Sequence, residues 1–168
     1  MKVKLLNLML LFTVIFTMNS CSSDSSEETA DSVSAVVVEN YTYSEVELET
    51  MKLINDYRVS IGLNPLEKIN HISFKSEEHD YYMIDKKAPS HDGFVDRSNN
   101  IMKLLGATTV AENVAFNYNS PEAAVKAWLN SAGHKANIVG NYTHFGISIR
   151  QDAATGKKYY TNIFARID

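Results

Sequence analysis

The spacing of apolar and polar positions divides the chain into segments of different kinds. Residues Leu5 to Met18 are apolar except for Asn7, Thr13 and Thr17, and the polar tract SSDSSEETADSVS follows. Beyond it, Val46, Met51, Ile54, Tyr57 and Ile61 recur at helical spacing. Ser44-Glu45-Val46-Glu47 supplies a capping box before them, and Gly62 a stop after them, predicting a first helix over Glu45 to Ile61. A second helix is predicted from Asn70 to Lys87, with Ile72, Tyr82 and Met83 facing inward and Pro89 ending it. The stretch APSHDGFVD reads as a loop, and a short third helix from Arg97 to Leu105 stops at Gly106. Branched residues make Ala107 to Phe116 an extended segment. Ser120-Pro121-Glu122 then opens a fourth helix carrying Val125, Trp128 and Leu129 into the stretch WLNSAGHKANI. HFGISIRQ and KKYYTNIFARI flank DAATG as an antiparallel hairpin turning at Gly156, in which Tyr159 and Tyr160 alternate, one toward the core and the other toward a cleft. Helices first and a hairpin last predict an α+β fold.

The N-terminus changes the picture of where this domain resides. Lys2 and Lys4 precede an apolar run shorter than the ~20 residues a membrane-spanning helix needs, which is the pattern of a secretory signal. Cys21, the only cysteine, stands where that run ends, and the tract after it is too polar to fold. The arrangement resembles a bacterial lipoprotein signal. It implies a signal peptide over residues 1–20, a lipidated Cys21 with a polar linker to residue 42, and a folded domain over 43–168, held to the bacterial envelope membrane by its lipid. With that cysteine used, no internal disulfide is available, and core packing holds the fold. The formal charge is −4, and removal of Lys2 and Lys4 leaves the remainder more acidic. A basic patch for nucleic acid is not visible, so nucleic acid is not an expected partner.

Few residues are placed to carry chemistry. Of the five histidines, His71 and His79 fall in the second helix and His144 opens a strand, where structural or solvated roles suffice. His91 and His134 lie in glycine-containing turns beside helix ends, where a side chain can be aimed at a cleft. Glu112 interrupts the apolar stretch TTVAENVAF, so it either lies on an outer face or meets a partner that receives its charge. Trp128 fits the inward face of its helix.

These pieces stand in a recognisable order: His91 in PSHDG, Arg97 in VDR, Glu112-Asn113 in AENVA, Trp128 to Ile138 in WLNSAGHKANI, Gly146 in FGISI and Tyr159 to Phe164 in YYTNIF. Together with LINDYRVSIGLNPL they resemble the CAP family of cysteine-rich secretory proteins, antigen 5 and pathogenesis-related proteins, in its short bacterial form. The resemblance implies a three-layer α-β-α sandwich with a central antiparallel sheet and an open cleft. It also implies two cleft histidines, His91 and His134, and a cleft glutamate, Glu112. The second glutamate of the family pattern is replaced by Ser131.

Ligands implied by the resemblance are divalent metals, sterols or other lipids, and cell-envelope components. His91, His134 and Glu112 would supply three ligands to zinc or another divalent metal, with water in the fourth place. Three functions stay open: a ligand-binding module, a metal-assisted peptidase or cell-wall hydrolase with Glu112 as base, and a non-catalytic adhesion platform. A Ser131–His134 nucleophilic pair lacks a third, orienting residue.

Overall fold

The computed structural model describes residues 36–168, so the predicted signal segment and Cys21 lie outside the described residues. The capping box forms as the sequence requires. Ser44 Oγ accepts from the Glu47 amide at 3.3 Å and the Glu47 carboxylate takes the Ser44 amide at 2.8 Å, starting α1 (Glu45–Ser60). The pair β1 (Glu67–Lys68) precedes α2 (Asn70–Lys86), which ends at Lys87 in the left-handed conformation. Next come α3 (Phe94–Leu105), β2 (Thr109–Phe116), α4 (Pro121–Asn130), α5 (Ala132–Ile138), β3 (His144–Gln151) and β4 (Lys158–Arg166). Among the described residues no helix is long and apolar enough to cross a membrane.

The sheet runs in the order β1-β3-β4-β2. β4 pairs antiparallel with both β2 and β3, whereas the two-residue β1 pairs parallel with β3. Strand alternation then assigns the faces. Val114, Thr161 and Ser148 lie in register on one face, and Ala115, Tyr160 and Ile149 on the other. On the first face, α2 and α3 bring Ile72, Met83 and Ile101 against Ile163, Ala165 and Tyr159. On the second, α1, α4 and α5 bring Met51, Ile54, Trp128 and Ile138 against Phe145, Ile147, Tyr160 and Phe164. These are the three layers of an α-β-α sandwich. α2 lies so close to β3 that a Cβ on Gly146 would overlap the Ser73 nitrogen and fall 2.6 Å from the Ile72 carbonyl carbon, so only glycine fits there.

Several local expectations are corrected. The WLNSAGHKANI stretch is not one helix and a turn: Ser131, extended at φ −103° and ψ 121°, separates α4 from α5, and His134 lies within α5. α3 begins at Phe94 and not at Arg97, since Gly93 takes the left-handed conformation and starts it three residues earlier. Tyr159 and Tyr160 are both buried, on opposite faces of the sheet, because α-helical layers cover both. Tyr82, expected inward, is exposed, while His71 and His79 are buried in its place. Body contacts also begin before Tyr43. The Val38 amide donates to His71 Nδ1 at 3.1 Å, and Asn70 Nδ2 donates to the Glu39 carbonyl.

Candidate functional site

β2 is an edge strand, and the residues singled out in the sequence gather along it. Glu112 alternates toward the α2–α3 face and is buried, so its charge must be met there. Arg97, in the first turn of α3, meets it with a fork: Nε donates to Oε2 at 2.9 Å and Nη2 to Oε1 at 2.9 Å. The same guanidinium donates from Nη1 to the Asp92 carbonyl at 2.7 Å, tying down the loop ahead of α3. A Cβ on Gly93 would stand 3.3 Å from Arg97 Nη1, and its φ is +70°, so both space and backbone conformation favour glycine.

His91, in that loop, donates from Nδ1 to Glu112 Oε1 at 2.9 Å. A charged carboxylate only accepts, so the neutral ring carries its proton on Nδ1 and its Nε2 lone pair has no partner among the described residues. Its side chain is 54% exposed against 1% for Glu112, so this lone pair belongs to a reachable ring held by a buried anchor. Below it, His79 donates from Nε2 to the Ser90 carbonyl at 2.7 Å and approaches Glu112 Oε1 at 3.9 Å, outside hydrogen-bond range. Burial pushes the His79 pKa down, with the Ser90 hydrogen bond opposing it. His79 Nδ1 is buried without a partner among the described residues.

Helices α4 and α5 form the other bank. Trp128 Nε1 donates to the Val114 carbonyl at 3.0 Å, and Asn137 Nδ2 to the Glu112 carbonyl at 3.2 Å. These side chains satisfy carbonyls on the unpaired edge of β2, which would otherwise be open for another strand. Asn113 Nδ2 donates to the His134 carbonyl at 3.0 Å, and Asn113 Oδ1 accepts from Asn137 Nδ2 at 2.8 Å. The result is a groove of about 330 Å³ along Pro89, Phe116, Tyr118, Trp128, Ser131 and His134. Burial holds the His134 pKa below its ordinary value, and the charge His91 would carry adds to the effect. Ser131 precedes α5 without a side-chain cap hydrogen bond.

The four predicted residues therefore fall into two linked pairs. His91 and Glu112 are in contact, Ser131 and His134 line one groove, and the β2 backbone joins the pairs through Asn113 and Asn137. A three-ligand metal set does not fit this arrangement. Both Glu112 oxygens are engaged by Arg97 and His91, and among the described residues no three His, Cys, Asp or Glu side chains stand together as metal ligands. Arg97, His79, Asn113 and Asn137 join the site without being among the residues the sequence assigns to it. Arg97 is signalled by the buried acid it must neutralise, and the two asparagines by their places beside Glu112 and His134.

A sequence model of the cysteine-rich secretory protein family matches residues 51–164. The uncharacterized protein YkwD of Bacillus subtilis is 32% identical over 123 residues, 71% of this chain and 48% of that protein. The uncharacterized membrane protein YlbC of the same organism is 31% identical over 129 residues, 71% of this chain and 34% of that protein. The chain thus spans about half or less of the length of these relatives. Among solved structures, an outer surface protein of Borrelia burgdorferi superposes with a TM-score of 0.66 at 16% identity, covering 78% of this chain and 100% of that one. An extracellular SCP-domain protein of Bacillus anthracis superposes with a TM-score of 0.64 at 24% identity, covering 76% of this chain and 45% of that one. At these identities the structural likeness is one of fold.

Proposed function

Since this chain belongs to the cysteine-rich secretory protein family, the CAP family, we propose that it is an envelope protein whose β2 groove binds an amphiphilic ligand. The observation that carries this reading is the lining of the groove. Pro89, Val114, Phe116, Tyr118 and Ala127 offer an apolar wall, and Ser131 and His134 offer polar atoms at the same cleft. Such a surface suits a lipid or an envelope component with one apolar part and a hydrogen-bonding end. The depressed pKa of His134 keeps its ring neutral near neutral pH, able to donate from one nitrogen and accept at the other. His91 stands across the edge strand, its ring fixed by Glu112. The names of the outer-surface and extracellular structural neighbours support an envelope or secreted location, and acylation of Cys21 would supply the anchor.

A fluorescent long-chain fatty acid titrated into the purified protein tests this. Saturable binding is expected, and Ala127→Phe, which places an aromatic ring in the groove, should abolish it. Binding that persists unchanged in that variant rejects the groove as the site.

One observation favours a second reading. Glu112 orients His91 from behind and leaves Nε2 free, the arrangement by which carboxylates position a histidine acting as a base or as a metal ligand. In that reading Glu112 supports His91 rather than binding metal itself. Zinc titration by calorimetry separates the two: zinc uptake lost in His91→Ala and His134→Ala would favour the metal-assisted alternative.

A further inference from the structure

A second hollow lies on a different part of the molecule, between the end of α1, the Leu63–Glu67 segment and the Val139–His144 connection. Its volume is about 740 Å³, and Arg58, Asn64, Glu67, Asn141, His144 and Arg166 are among its lining residues.

Arg58 is buried there with an unusual set of partners. Its guanidinium donates to four backbone carbonyls: Nε to Asn64 at 2.9 Å, Nη1 to Ile138 at 2.7 Å and Gly140 at 3.0 Å, and Nη2 to Tyr142 at 3.3 Å. Carbonyl dipoles take four of its five N–H hydrogens without cancelling its charge, and burial alone shifts its pKa, downward. A desolvated cation of this kind raises the local potential.

The rim adds donors not yet committed. Arg166 uses Nε on Asp168 at 2.7 Å and Nη1 on Asn141 Oδ1 at 2.6 Å, which leaves Nη2 free among the described residues. Because Asn141 Oδ1 is taken by Arg166, the NH2 end of that amide is its remaining hydrogen-bonding group. The one carboxylate in the lining, Glu67, is largely exposed and lies 3.8 Å from His144 Nε2. Two guanidinium groups thus stand at the hollow with Glu67 turned outward, while Asp168 occupies one edge of the Arg166 fork and leaves the other open.

We propose that this hollow is a second binding site, independent of the β2 groove, and that it takes a phosphate-bearing ligand. Arg166 Nη2 and Asn141 Nδ2 contact the phosphate oxygens, and the Arg58 charge behind them supplies long-range attraction. The hollow is larger than one phosphate group, so the phosphate is carried on a bigger body.

Calorimetric titration of the full chain with inorganic phosphate tests the site. Saturable binding is expected, weakened about tenfold in Arg166→Gln and in the exposed-site variant Asn141→Asp, strengthened in Glu67→Gln, and unchanged in Ala127→Phe. No saturable binding, or equal affinity in Arg166→Gln, Asn141→Asp and Glu67→Gln, overturns the proposal. Vesicles of phosphatidylglycerol distinguish the source of the phosphate. Sedimentation with them that free phosphate competes away assigns a lipid headgroup, and phosphate binding without vesicle binding assigns a soluble phosphorylated ligand.

Discussion

The His79 ring, buried within α2, donates from Nε2 to the carbonyl of Ser90 at 2.7 Å and so fixes the residue immediately before His91. The reachable imidazole of the site is therefore positioned twice, through the backbone by His79 and through Nδ1 by Glu112.

The substitution His79→Leu should remove the Ser90 bond and lower stability by about 1–3 kcal/mol, read from urea denaturation. The pH dependence should change too. Burial holds the folded-state pKa of His79 below its unfolded value, so as pH falls the unfolded chain binds the proton first. The stability His79 contributes is complete above about pH 6.5 and is lost as pH falls below it toward the depressed value. His134, also depressed by burial, adds a change of the same sign. Loss of the imidazole in His79→Leu should flatten the acid limb, and an unchanged slope would contradict the assignment.

Arg97→Ala should be more damaging. It strands the Glu112 carboxylate in a buried position, and loss of one partner of a buried pair costs about 3–5 kcal/mol. Arg97→Lys should rescue only part of this, because a single ammonium cannot reproduce the two-pronged contact. Denaturation midpoints of the two variants check the order.

Asp80 predicts the opposite behaviour to most acids. It is fully buried, accepts from Thr161 Oγ1 at 2.6 Å through Oδ1, and its Oδ2 has no partner among the described residues. Desolvation raises its pKa well above the ordinary carboxyl value. The stability linked to this group is present at low pH and is lost as pH rises through the raised value. Asp80→Asn should accordingly gain stability relative to the native chain at about pH 8, with the difference shrinking on acidification. Urea midpoints at two pH values decide it.

Gly146→Ala should destabilise by about 1–3 kcal/mol. The added Cβ would meet backbone atoms of Ser73 and Ile72, the latter at 2.6 Å, and these cannot swing away as a flexible side chain can. Thermal melting of the variant checks this, and a native-like midpoint would mean α2 can shift at little cost.

What the sequence discloses follows the range of the interaction concerned. α1 is legible because its start is set by Ser44 and Glu47, three residues apart, and the β3–β4 hairpin because apolar alternation and Gly156 act locally. The break at Ser131 is not, since its extended conformation belongs to the packing of α4 and α5 beside β2. β1 escapes for a related reason: two residues carry no period, and their pairing depends on the distant β3, with Glu67 opposite His144. In the site, the signal at Glu112 is an acid in an apolar run, which demands a partner without naming it. Arg97 becomes that partner only when α3 and β2 pack together, and His79 takes its place through the turn of chain that returns Ser90 to α2.

The early attachment of the chain at Val38 has a mechanical consequence. Any tether upstream pulls on the first turn of α2, through His71 and Asn70, whereas the loop bearing His91 leaves from the far end of the same helix. Its 17 residues make a strut of about 25 Å between the two. Load applied through such a tether would thus be taken up one strut length away from the ring that Glu112 holds.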